Sequence, residues 1–140
     1  MAILNYTTKV ESTRTVSEIQ GILGRKGATH VSVDYQGGKP IAVTFGLEVS
    51  GQSVSYRLPC NIAGVSMAMK STRSSVWQDA AQCERIAWRI VKDWVEAQMA
   101  LVEANQAEVA EVFLPYALHR TGQTLFQAMK SKQLALDKGD

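Results

Sequence analysis

Between Val31 and Leu58 the chain alternates apolar and polar residues three times over. Val31, Val33 and Tyr35 form the first run, Ile41, Val43, Phe45, Leu47 and Val49 the second, and Val54, Tyr56 and Leu58 the third. A period of two places each set on one face of a strand. Gly37-Gly38 and Ser50-Gly51-Gln52 separate the runs and supply turns, so the segment reads as an antiparallel meander of three strands. Its opposite face carries Ser32, Thr44, Glu48, Ser53, Ser55 and Arg57. A small sheet with one apolar face needs that face covered to be stable, so the remainder of the chain must supply helices to lie on it.

Two segments have the pattern for this. Val16, Ile19, Ile22 and Leu23 repeat at helical spacing after Thr15-Val16-Ser17-Glu18, where Thr15 is expected to cap and Glu18 to reach back to its amide. Gly24 and Gly27 are expected to end this helix. A long helix is expected from about Val76 to about Ala104, with Cys83, Ile86, Ile90, Trp94, Ala97 and Leu101 on its apolar face and Arg85, Arg89, Lys92 and Glu96 on the opposite one. Shorter pieces complete the reading: a short strand at Ile3 to Val10, a helix from Asn61 to Lys70 after Pro59, a break near Asn105 and a last helix around Thr124 to Lys132. The expected class is α+β, an αβββα core with the meander packed on a long amphipathic helix, plus a short helical C-terminal tail. With 140 residues this is one domain, core about 12–104 and tail about 105–140.

No run of about 18 apolar residues is present, and the first residues lack the basic and apolar blocks of an export signal, so a cytoplasmic chain with no membrane partner and reduced Cys60 and Cys83 is expected. His30 and His119 are isolated from other metal-ligating side chains, and no phosphate-cradling glycine loop ending in Lys-Ser/Thr occurs. Neither a metal, a cofactor nor a catalytic residue is therefore expected, and the chain does not read as an enzyme. Gly24-Arg25-Lys26-Gly27 matches the loop of KH domains in letters, but a strand follows it directly, so it reads as a helix stop. Tyr35, Phe45 and Tyr56 fall in the core register, which removes them as stacking platforms.

Net charge is only +2, yet it is unevenly placed. Met1 to Lys92 holds 11 basic and 6 acidic side chains (+5), whereas Asp93 to Asp140 holds 4 basic and 7 acidic (−3). Arg85, Arg89 and Lys92 recur at the pitch of one helical face with Trp88 at its margin, and Lys70 and Arg73 precede them in the small, polar stretch Lys70 to Ser75. Guanidinium and ammonium groups at this spacing can meet successive phosphates, and an indole can stack on an unpaired base. The other reading of the same stripe is structural, with Arg85 and Arg89 paired to carboxylates on another helix or subunit and Trp88 packed on the sheet.

The stretch from Arg85 to Gln98, containing Trp88-Arg89 and Lys92-Asp93-Trp94, with Phe113-Leu114-Pro115-Tyr116 after it, resembles a family of short, largely uncharacterised phage and prophage proteins. The Ser/Thr-x-x-Glu-Ile start of the first helix, Gly27-Ala28 and Arg57-Leu58-Pro59 belong to the same resemblance, which covers most of the chain and implies a viral or mobile-element setting. In order of elements alone the chain is similar to the core of single-strand annealing proteins of the Redβ/RecT/Erf class, which implies assembly on single-stranded DNA. The expected function is a self-assembling, phage-type protein that binds nucleic acid, most simply single-stranded DNA in recombination or replication. Arg57, Lys70, Arg73, Arg85, Arg89 and Lys92 would contact phosphates and Trp88 a base, while the acidic segment from Asp93 to Glu111 would meet a neighbouring subunit. The competing expectation is an interaction module that binds or inhibits a host or defence protein without nucleic acid.

Overall fold

The computed structural model describes residues 3–131 and has the α+β architecture the alternation demands. Its elements are α1 (Ser12–Arg25), β1 (His30–Gln36), β2 (Lys39–Val49), β3 (Gln52–Pro59), α2 (Ile62–Ser71), α3 (Ala80–Glu103), α4 (Val109–Val112) and α5 (Leu125–Lys130), with 3-10 turns at Ser75–Gln78 and Leu114–Tyr116. No helix among the described residues is long and apolar enough to cross a membrane.

The sheet is an antiparallel meander in the order β1-β2-β3. Both hairpin turns use two residues with positive φ, Gly37 and Gly38 in the first and Ser50 and Gly51 in the second, as the twist of a tight hairpin requires. Val43, Phe45, Tyr56 and Leu58 are buried on one face, stacked against α1 and α3. Ser32, Thr44 and Arg57 form one row across the other face, over which no helix packs among the described residues. At Gly46 this open face has no room for a Cβ, because the His30 ring lies over it.

Between Asp34 and Tyr35 the register shifts: Asp34 pairs with Ala42 and Tyr35 with Pro40, leaving Ile41 as an extra residue on β2. Pro40 has no N–H to give the ladder, and its carbonyl accepts from the Trp88 indole at 3.2 Å. Tyr35 shares the register of Val31 and Val33, but lies beside the hairpin turn on the outer strand of the sheet. It is 61% exposed and does not join Phe45 and Tyr56 in the core.

Several local expectations are corrected. Ile3 to Val10 forms no strand: Tyr6 N bonds Ile3 O, Asn5 takes a left-handed φ of 64°, and the carbonyls of Tyr6 and Thr8 accept from Gln82 of α3. The first helix begins three residues before Thr15, which is buried inside it instead of capping it, and Gly24 remains helical while Gly27 (φ 99°) stops the turn. Asp79 caps the long helix by accepting from Gln82 N at 3.0 Å, so α3 starts at Ala80 and not at Val76. Its other end lies just before Asn105, whose φ of 59° interrupts the chain where a break was expected.

The buried arc of α3 also differs from the wheel. Cys83 and Ile86 are buried as expected, but Ala87, Trp88, Val95 and Met99 join them, while Ala97 and Leu101 are exposed. The segment after Asn105 adds Phe113 and Ala117 to the same core. Phe113 meets Phe45 and Trp94 edge-on at centroid distances of 5.5 and 5.4 Å, and Ala117 bridges to Tyr56 at the outer edge of β3. The expected end of the last helix, Lys132, lies outside the described residues.

Candidate nucleic-acid interface

The six cations singled out from the sequence occupy three separate places. Arg85, Arg89 and Lys92 lie along the seam between α1 and α3, Arg57 lies on the open face of the sheet, and Lys70 and Arg73 lie at the corner after α2.

Along the seam the charges are consumed within the chain. Arg89 Nη1 reaches Glu18 Oε2 at 2.6 Å and the Thr15 hydroxyl at 3.3 Å. Arg85 donates to Gln82 Oε1 at 2.9 Å and lies 3.8 Å from Glu11. Lys92 meets Glu96 at 2.5 Å. The three side chains are only 22%, 16% and 15% exposed, so little of each is left to meet a phosphate. Glu11, the residue that caps α1, and Glu18, two turns further on, supply the acids that face Arg85 and Arg89. Because α1 lies over the stripe, its margin is interior too. Trp88 is fully buried, its Nε1–H spent on Pro40, and in this fold its ring offers no face to a base.

The acidic segment is engaged as well. Asp93 accepts from Asn5 Nδ2 at 2.7 Å, Glu103 meets Lys26 at 2.6 Å, and Glu108 and Glu111 form a capping box on α4. The Lys26 ammonium holds the Glu103 carboxyl below its ordinary range. The +5 and −3 halves of the sequence are thus partly interleaved in space. A groove of about 430 Å³ follows the seam, and its cations Arg14, Arg25 and Lys92 alternate with Glu18 and Glu96.

Arg57 donates from Nε to Asp34 Oδ2 at 3.1 Å across β2, half-exposed on the polar face.

The α2 corner is different. Neither Lys70 nor Arg73 makes an ion pair among the described residues. Met69, fully buried, anchors the end of α2, and its carbonyl accepts from both Ser74 N and the Thr72 hydroxyl. Arg73 turns the chain with a φ of 60°, and the 3-10 turn that follows brings Trp77 back so that Lys70 Nζ sits 5.0 Å from its ring centroid. Ser66 Oγ holds that turn by donating to Trp77 O at 3.1 Å. Trp77 is 36% exposed and Met67 71%. Trp77 was not among the expected site residues; a lone indole within Ser74-Ser75-Val76-Trp77-Gln78, outside either helical apolar face, is the signal that marks it.

Cys60 and Cys83 are both free and buried. Burial, helped by the Glu84 charge, pushes the Cys60 thiol up to about 12. Burial also raises Cys83, with a hydrogen bond to Ser66 opposing the rise and Asp79 adding to it, and a raised thiol holds little of the nucleophilic thiolate at neutral pH. Among the described residues no three His, Cys, Asp or Glu side chains are grouped to hold a metal ion. Comparison with protein-family models, with curated proteins and with solved structures returns no match.

Proposed function

We propose that this chain is a small phage-type protein of the host cytoplasm that binds single-stranded nucleic acid as a homo-oligomer, holding it at the α2 corner. One observation carries the reading: Lys70 and Arg73 stand without acidic partners among the described residues, and Lys70 lies over the partly exposed Trp77 ring. Two unneutralised cations follow a phosphate backbone, and an indole accepts a base of any sequence. Arg57 on the open sheet is a further contact once a phosphate competes with Asp34. Arg85 and Arg89 tie α3 to Glu11 and Glu18, Lys92 is paired with Glu96 within α3, and Trp88 holds α3 on the sheet, so they support the site without touching the strand. The phage setting rests on the resemblance carried by Trp88-Arg89, Lys92-Asp93-Trp94 and Phe113-Leu114-Pro115-Tyr116. The work suited to such a protein is recombination or replication.

Binding of a labelled single strand, followed by anisotropy as salt is raised, tests this. Log affinity should fall linearly with log salt, and the emission of Trp77 should be quenched on binding. Absence of binding at low salt overturns the proposal.

A second reading, docking of the same corner on a host or defence protein, is favoured by Met67 of α2, since an exposed thioether suits a protein surface better than a phosphate. It predicts no strand binding at any salt.

A further inference from the structure

We infer that β1 is a self-association edge, along which a second copy of this chain pairs antiparallel about a two-fold axis at Val33. This pairing specifies the homo-oligomer proposed above and rests on that proposal for self-association alone. β3 has a neighbour on its outer side, where Leu118 N donates to Ser55 O at 2.8 Å and Ala117 bridges Tyr56. β1 has none among the described residues, and its outward N–H and C=O groups face away from the fold along seven residues. Free edges of this kind are commonly blunted by lysine, proline, shortness or a bulge. His30–Gln36 contains neither lysine nor proline, and the extra residue of the nearby bulge, Ile41, belongs to β2, so β1 itself runs unbroken.

The strand complements itself. A two-fold at Val33 sets His30 opposite Gln36, Val31 opposite Tyr35 and Ser32 opposite Asp34 of the second copy, with the two Val33 residues facing each other. All seven residues pair, and no like charges meet. The same axis gives the exposed Tyr35 ring a β-branched cross-strand partner in Val31, a pairing that stabilises antiparallel sheets. Moving the axis one residue to Asp34 would oppose two carboxylates. The product is one six-stranded sheet whose polar faces, with Arg57 of each copy, run on continuously.

The test is a charge swap at Ser32, an exposed position on the open face, with association read by sedimentation in the absence of nucleic acid. Ser32→Asp sets a new carboxylate against Asp34 twice per dimer and should weaken association about tenfold, as two repulsive cross-strand pairs would. Ser32→Lys sets an ammonium there instead and should leave association equal or tighter, while both variants keep the wild-type unfolding midpoint within the range of a surface substitution. A monomeric wild type at every concentration overturns the edge pairing, and so does an oligomer on which the two charges act alike. Strand binding measured on the same samples reports separately on the α2 corner, so failure of one leaves the other readable.

Discussion

The α1–α3 seam and the α2 corner have similar ingredients, two or three cations and a tryptophan within a short stretch of chain, and the fold treats them in opposite ways. In the seam a second helix brings Glu11 and Glu18 over Arg85 and Arg89, and Trp88 becomes the largest fully buried side chain. At the corner the chain turns back through a 3-10 turn that lays Trp77 against Lys70 and leaves the ring partly exposed. A cationic stripe on a helix wheel is therefore not by itself a binding surface; the acids of the neighbouring element decide whether the charge is structural or available.

The largest expected difference between the regions is in stability. Trp88→Ala empties the centre of the core and breaks the bond to Pro40 O, and should cost about 3–5 kcal/mol by chemical denaturation. Trp77→Ala should cost less, about 1–3 kcal/mol of stability for a side chain that is 36% exposed, and should weaken single-strand binding by about 1–3 kcal/mol. Next comes Arg89→Ala, which leaves Glu18 half-buried without its closest partner and should destabilise by about 1–3 kcal/mol. Equal stability of the wild type and this variant would show that the seam pair is not structural.

A smaller effect tests the ground between the regions. Cys60 keeps its proton in the folded state up to about pH 12, whereas the unfolded thiol loses it near the ordinary 9.0. The folded pKa is the higher one, so its contribution to stability is complete below about pH 9 and is lost as pH rises from there toward 12. Denaturation midpoints should fall over that window, and Cys60→Ala should flatten the fall. At neutral pH neither thiol should react with a soluble disulfide reagent until the chain unfolds. Rapid labelling of Cys83, whose Sγ donates to Val76 O in the 3-10 turn, would instead show the corner opening in the native state.

Much of the fold is legible in the order of residues. Strict alternation from Val31 to Leu58, broken by Gly37-Gly38 and Ser50-Gly51, specifies the meander and its core face, because a slip of one residue would turn Phe45 and Tyr56 to solvent. The position of the long helix is legible for the same kind of reason. Its orientation is not: periodicity shows that Arg85, Arg89 and Lys92 share a face but not that α1 will lie on that face, and so Trp88 reads as marginal when it is central. Tyr35 deceives in the reverse direction, since alternation assigns it a side of the sheet without saying that its place on the outer strand leaves the ring exposed. Lys70 and Arg73 are visible as a polar, cationic stretch, but the contact of Lys70 with Trp77 exists only once Arg73 takes its left-handed turn.

Salt-dependent binding of a single strand, compared between Lys70→Ala/Arg73→Ala and Arg85→Gln/Arg89→Gln, separates the two regions most directly. The corner pair should reduce the slope of log affinity against log salt by about 1.4, about 0.7 for each phosphate no longer neutralised, while the folded seam pair keeps the wild-type slope. An unchanged slope in the corner variant, with the reduction appearing in the seam variant, would contradict the account.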